Sequence, residues 1–129
     1  DVIFIDGLHT YEQCQKDCIN SLKFLKDNGT IFLHDLLPKN SFEAAVPRKQ
    51  TRWTGDVWKV AVELTFSENL KFRIANIDNG VGILKKKENC TYNKLDDLKF
   101  SNFEDYKNRY LKKLPIIDCI EAMEFIDNG

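Results

Sequence analysis

Two aspartates and two histidines, all within the first 35 residues, have the side chains and spacing to build a reactive centre. Asp6 ends the apolar run Val2-Ile3-Phe4-Ile5 and leads into Gly7-Leu8-His9, while a second run, Thr30-Ile31-Phe32-Leu33, ends in His34-Asp35. Asp6, His34 and Asp35 offer hard oxygen ligands and an imidazole. Such a set suits Mg²⁺ or Mn²⁺, with coordination positions left for water and substrate oxygens. Zinc is disfavoured, because the spacing is not that of a closed structural site and no cysteine joins. His9 stands at the mouth of the same crevice, where it can orient a ligand, act as a general base near neutral pH, or bond the turn. Taken singly, each residue also has a structural reading, with Asp6 capping a turn and His34 bonding backbone. Their joint placement at two run ends favours a site.

The elements around these residues explain how they would meet. Val2–Ile5 is continuous, β-branched and aromatic, the pattern of a parallel strand covered on both faces. Thr10 is placed to cap the following helix, with Gln13 completing a capping box, and Tyr11, Cys14, Cys18, Leu22 and Leu25 recur at helical spacing. Asn28-Gly29 provides a left-handed C-terminal cap, and Thr30–Leu33 is the next strand. A strand-helix-strand unit of this length places its strands side by side and parallel, about 4.8 Å apart. The strand ends then bring Asp6 and His34-Asp35 to one carboxyl edge, where open α/β sheets bind ligands.

Further along, residues 36–53 form a long, weakly patterned and mildly basic connection, read either as a lid or substrate loop or as an ordinary surface loop. A second helix is expected from Gly55 to Ser67, capped by Thr54, with Val57, Val60, Ala61 and Leu64 facing inward. Asp56 suits its positive end, and Trp53 and Trp58 are candidates to line a pocket. Two strand-like runs, 70–77 and 81–84, flank Asp78-Asn79-Gly80, a hairpin signal. Lys85-Lys86-Lys87 reads as a solvated strand end, and Gly80-Val81-Gly82 lacks the following helix that a nucleotide loop needs. In the tail, Ser101-Asn102-Phe103-Glu104 is read as a capping box, Phe103, Tyr106 and Tyr110 as a helix face bounded by Pro115, and 118–126 as a last helix.

Composition narrows the classes. The 129 residues include 19 basic and 20 acidic ones, a formal charge of −1, so no global field recruits nucleic acid or an anionic membrane. A chain of this length suits one domain. The four cysteines contain no C-x-x-C pair; Cys14 and Cys18 read as small buried hydrophobes, which fits a reducing compartment. With no membrane-spanning run or signal peptide in the sequence, the expected location is cytoplasmic. Asn28-Gly29-Thr30 and Asn89-Cys90-Thr91 match glycosylation sequons of the kind that arise by chance. The chain opens directly on a buried-type strand, from which we expect residues upstream of Asp1.

The strand running into Asp6-Gly7-Leu8-His9-Thr10-Tyr11, the helix ending at Asn28-Gly29, the strand ending in His34-Asp35 and the later Gly55-Asp56-Val57-Trp58-Lys59 together resemble the class I S-adenosylmethionine-dependent methyltransferases. The closest group is the bacterial one with a strand-end D-G-x-H-x-Y and a later H-D. The resemblance covers residues 1–88, and 89–129 match it only loosely, which divides the chain into the C-terminal part of a methyltransferase domain (1–88) and a helical appendage (89–129). It implies a partial Rossmann-like α/β three-layer sandwich, with parallel strands followed by a C-terminal antiparallel hairpin. It also implies methyl transfer from S-adenosylmethionine to a hydroxyl of a sugar or other small molecule, assisted by Mg²⁺ or Mn²⁺ at Asp6, His34 and Asp35. His9 and Asp35 would then be catalytic, Asp6, Gly7 and His9 would contact the cofactor, and Asp56 and Trp58 the substrate. His34 departs from the carboxylate usual at its position in that family. The family's glycine-rich cofactor loop lies on earlier strands, so this chain alone is expected to bind the cofactor weakly. Two other classes fit the same residues: a non-catalytic Rossmann-like binding or assembly module, and a metal-dependent hydrolase. A homo-oligomer is a further expectation, because a bare sheet edge invites pairing.

Overall fold

A computed structural model describes residues 1–128 of the chain. Its centre is one open five-stranded sheet. Strands β1 (Val2–Ile5) and β2 (Thr30–Leu33) flank helix α1 (Tyr11–Phe24); helix α2 (Trp58–Thr65) precedes β3 (Leu70–Ala75) and β4 (Val81–Lys86); and β5 (Ile116–Ile117) comes from the tail. The spatial order is β1-β2-β4-β3-β5. β1 and β2 are parallel, β4 runs antiparallel to both β2 and β3, and β5 is parallel to β3. The fold is therefore mixed α/β with parallel and antiparallel pairs, and the hairpin expected around Asn79-Gly80 closes the β3-β4 pair. All three turn residues carry positive φ, 42° at Asp78, 63° at Asn79 and 88° at Gly80, the backbone that Asn and Gly adopt at least cost.

β1 departs from expectation. Ile3 and Ile5 turn toward the core, but Val2 and Phe4 are largely exposed, so this edge strand is covered on one face only. Alternation along the inner strands is clear. Ile31, Leu33, Phe72, Ile74 and Leu84 pack with α1 and α2 in the main core, while Phe32, Ala75, Val81 and Ile83 meet Ala122, Phe125 and Ile126 of the last helix, in a smaller core.

The helix ends also differ from the sequence reading. Thr10 is the N-terminal flanking residue of α1, but its hydroxyl makes no capping bond; the Tyr11 N–H donates to Asp56 Oδ1 at 2.7 Å, and Gln13 bonds Asp17 rather than closing a box. α1 stops at Phe24, and the left-handed residue is Asn28 (φ 67°), not a glycine cap. α2 is shorter than expected, because Gly55 at φ 67° is not helical and Thr54 is buried with its hydroxyl on the Glu43 carbonyl. Every α2 residue from Trp58 to Leu64 is buried, Lys59 and Glu63 included. The 89–129 segment is not purely helical. It runs through irregular helical turns and α3 (Phe103–Asp105), gives β5 to the sheet edge, and ends in α4 (Cys119–Asn128). The capping box at α3 is formed by Asn102 with Asp105, one residue later than expected from Ser101. Leu98, Tyr106 and Leu114 join the main core. All four cysteines are free, and Cys14 and Cys18 are buried as expected; burial pushes the Cys14 thiol up to about 12. No described helix is long and apolar enough to cross a membrane.

Glu63 ties these parts together. It is fully buried, and its carboxylate accepts from the Tyr11 hydroxyl (2.7 Å), the Gln15 amide (3.0 Å), the Tyr92 hydroxyl (2.6 Å) and the Leu95 N–H (2.7 Å). Four donors from α1 and the tail converge on one residue of α2. Burial, then Glu63 itself, raises the pKa of both tyrosines, which stay neutral donors. Glu63→Leu should cost roughly 3 kcal/mol or more in denaturant unfolding, since it strands several buried donors at about 1–3 kcal/mol each. Glu63→Gln should cost clearly less, and equal losses for the two would show that packing, not hydrogen bonding, is what Glu63 supplies.

Candidate active site

The parallel register places the cluster. Val2 pairs with Thr30 and Ile5 with Leu33, and the His34 N–H still donates to the Ile5 carbonyl at 3.3 Å. The next residues out are therefore Asp6 on one strand and His34 on the other, side by side at the carboxyl edge. β4 lies on the far side of β2, with Leu33 opposite Gly82. Its hairpin turn is thereby held against the loop after β2, where Leu36 and Leu37 N–H donate to the carbonyls of Gly80 and Asn79. A Cβ at Gly82 would lie 2.5 Å from Leu36 Cδ1, so any larger residue there must push the Leu36 side chain aside.

Four side chains converge. His9 Nε2 lies 3.4 Å from Asp6 Oδ1 and 3.1 Å from Asp35 Oδ2; His34 Nδ1 lies 3.5 and 3.4 Å from the same two oxygens. One atom from each of Asp6, His9 and Asp35 falls within 4.8 Å of the other two, a spacing that can hold a metal ion. The compact trio thus contains His9, which the sequence reading placed at the mouth. His34, which that reading counted as a ligand, keeps Nδ1 on the carboxylates and turns Nε2 to Asp78, 2.9 Å from its carbonyl and 3.0 Å from Oδ2.

The other ring nitrogens settle the proton inventory. His9 Nδ1 lies 2.9 Å from the Trp53 carbonyl, and a carbonyl can only accept, so Nδ1 carries a proton and donates. His34 Nε2 donates to Asp78 for the same reason. Each imidazole therefore faces the two carboxylates with its remaining nitrogen, and a bare lone pair against carboxylate oxygens is repulsive. A proton or a metal cation must sit there.

Asp35 bears most of the cost. It is 4 % exposed and holds φ at 65°, a backbone that non-glycine residues adopt at a cost of order 1–3 kcal/mol. Burial raises its pKa against the pull of His34 and His9, with Asp6 adding to the rise and an Asn79 hydrogen bond opposing it. For His34, burial works against the imidazolium, but Asp35, Asp6 and Asp78 outweigh it and its pKa is raised. Asp78 and Asn79 thus belong to the site. Their Asn-Gly signal was legible as a turn, but that the turn reaches this edge depends on β4 pairing with β2.

The remaining candidates divide. Gly7 follows Asp6 on an open stretch, where a Cβ would meet only Asp17 Oδ2 at 3.6 Å. Asp56 is bound to the Tyr11 N–H and to Lys59 (3.3 Å). Trp58 is 1 % exposed and packs against Tyr106 and Tyr110 in the core, although it also contributes to a cleft wall. Trp53, instead, stands 5.2 Å from the His9 ring. The 36–53 loop that carries it is anchored by Glu43, which is buried and whose carbonyl accepts from Thr54 and Gly55 N–H.

Against known proteins, residues 1–36 match the family model of a methyltransferase domain. The matched stretch contains all four clustered side chains and ends one residue beyond Asp35. It points to a methyltransferase domain, and so to methyl transfer in general. No curated protein and no solved structure matches the chain.

The raised pKa values give the cluster a pH signature. A group whose folded pKa lies above its unfolded value stabilises the fold fully below the unfolded value and loses that contribution as pH rises. For His34 the loss begins near its ordinary 6.5, and for Asp35 near 3.8, each running up through the raised folded value. The melting temperature of metal-free protein should therefore fall as pH rises above about 6.5, and His34→Gln should flatten the fall. An unchanged slope in the variant would remove His34 from the account.

Proposed function

We propose that this chain carries the cation-binding and acceptor-binding side of an S-adenosylmethionine-dependent O-methyltransferase, acting on a hydroxyl of a small molecule. The observation that carries this reading is the pair of imidazole nitrogens aimed at two shared carboxylates, on the stretch that matches a methyltransferase domain. The donor set fits a divalent cation: Asp6, His9 and Asp35 would hold it, and the imidazole favours Mn²⁺ over Mg²⁺. Bound there, the ion would lower the pKa of a coordinated hydroxyl and fix its direction of attack.

The chain's own groups do the rest. The Trp53 carbonyl fixes the His9 tautomer, leaving the Nε2 lone pair on the ligand side. Neutral His34, with Nε2–H on Asp78, keeps the Nδ1 lone pair directed into the site, where it can take the proton that the acceptor gives up. Asp35 supplies charge from a buried position, so little solvent weakens it. For the cofactor, a cleft of about 570 Å³ along β1 begins at Asp6 and Gly7 and includes Asp17 and Ser21. Two carboxylates and a hydroxyl suit ribose hydroxyls and a cationic sulfonium.

Mn²⁺ should raise the melting temperature of the wild type, Mg²⁺ less so, and Asp35→Asn should abolish the Mn²⁺ effect while melting no lower than wild type without metal, because the buried charge is gone. In an assay of methyl transfer from S-adenosylmethionine, Asp6→Ala and Asp35→Asn should each lower methylated product about a hundredfold or more. Full turnover in excess chelator would defeat the metal role, and hydrolysed rather than methylated product would favour the hydrolase reading of the same acids.

A further inference from the structure

A second cavity, of about 500 Å³, opens between the 36–53 loop, the start of α2 and the segment around Ser101. Its charged lining is Lys49, Lys59 and Lys99 against Asp56 alone. Lys59 distinguishes it from an ordinary basic surface. That residue is 5 % exposed, yet its ammonium reaches Asp56 Oδ2 only at 3.3 Å and the Lys99 carbonyl at 3.5 Å. Otherwise it lies over the Tyr11 and Trp58 rings, at 5.6 and 5.7 Å. The other oxygen of Asp56 is taken by the Tyr11 N–H. Burying an ammonium is costly unless an anion pairs with it, and among the described residues the only paired anion is Asp56, whose other oxygen is already engaged. With Lys49 and Lys99 lining it from two other segments, the cavity holds an excess of positive charge suited to a dianion.

The chemistry of the lining selects among anions. Lysines bind phosphate as point charges, whereas carboxylate recognition favours the planar arginine fork. The nearby Arg48 is committed elsewhere, with its Nε–H on the Gln50 carbonyl and its guanidinium over the Trp53 ring. Ser101 and Asn102 add polar groups to the wall. The cavity is also joined to the cation cluster through Trp53, Gly55 and Asp56. Trp53 holds His9 by its carbonyl, Gly55 lies so close to the His9 carbonyl that a Cβ would sit 1.7 Å from it, and Asp56 faces Lys59. We propose that this cavity holds a phosphoryl group of the methyl acceptor, making the acceptor a phosphorylated small molecule. The acceptor part of the inference rests on the methyl-transfer reading; the anion site itself does not.

The test is calorimetric titration with glycerol phosphate at about pH 8, where a phosphate monoester is a dianion, in excess chelator so that no metal at Asp6 and Asp35 can recruit it. Glycerol phosphate should bind while glycerol and acetate do not. Replacing the two exposed lysines together, Lys49→Ala with Lys99→Ala, should weaken binding about tenfold or more without unfolding the protein, and Lys59→Met, if it folds, should abolish it. Asp35→Asn should leave phosphate binding intact while removing the Mn²⁺ response. Unaltered affinity in the double lysine variant, or acetate binding as well as the phosphate ester, would overturn the proposal. Phosphate binding lost in Asp35→Asn would overturn it as well, by showing that the probe reports on the cation cluster. Phosphate binding that survives in a protein without methyl transfer would leave the anion site standing and remove the acceptor role alone.

Discussion

The buried carboxylate of Glu63 is the constraint on which the arrangement depends. α1, α2 and the tail share one apolar core in which Trp58 packs on Tyr106 and Tyr110, and Glu63 adds the directional ties among them. Glu63 supplies acceptors that cannot be abandoned. Two tyrosine hydroxyls, an amide and a backbone N–H meet on it, and each would be stranded in an apolar surrounding if its element moved away. Because no cation is paired with Glu63 among the described residues, the negative charge is held by neutral donors, and every one of them is needed. The first residue of α1 is thereby tied at its side chain to Glu63 and at its N–H to Asp56. That double attachment fixes where α1 begins, and with it the loop from Asp6 to Thr10 that carries His9.

The cation cluster shows the opposite economy. Around Glu63 the donors match the acceptors; around Asp6 and Asp35 the acceptors exceed the donors. Asp35 combines burial, a left-handed backbone and a raised pKa in one residue. Local strain of this kind persists only where the surroundings over-determine it. The hairpin turn does this from above through Asn79, and β2 does it from behind. The geometry of the cluster therefore depends on the register of three strands.

How much of this could be read from the chain depended on whether the determinant was local. The strand-helix-strand unit was legible because Val2–Ile5, the stripe from Tyr11 to Leu22 and Thr30–Leu33 each announce their period. Convergence of Asp6, His34 and Asp35 followed from parallel pairing alone. The hairpin was legible from Asn79-Gly80. What escaped was non-local. Thr10 looked like a cap, but Asp56, 45 residues from Tyr11, took the bond. Glu63 gave no sign of its role, because a glutamate at the edge of a helical stripe reads as solvent-facing until four distant donors are known. The edge position of β1, which leaves Val2 and Phe4 exposed, is a property of the sheet and not of the run. Trp53 and Trp58 were equal candidates for a pocket wall, and only tertiary packing sends Trp58 into the core and Trp53 to His9.

The segment from Trp53 to Asp56 gathers these threads. Its carbonyl at Trp53 sets a proton on His9, its Gly55 permits a backbone approach that any side chain would block, and its Asp56 both caps α1 and restrains Lys59. Trp53, Gly55 and Asp56 of this four-residue segment therefore touch the cluster, the start of α1 and the lysine cavity. Thr54, fully buried with its N–H and hydroxyl on the Glu43 carbonyl, keeps the segment from sliding. A displacement that drew Asp56 away from Lys59 would pull on the Tyr11 N–H and, through Gly55, on the His9 backbone. The lysine cavity and the His9 backbone are thus joined by contiguous packed backbone.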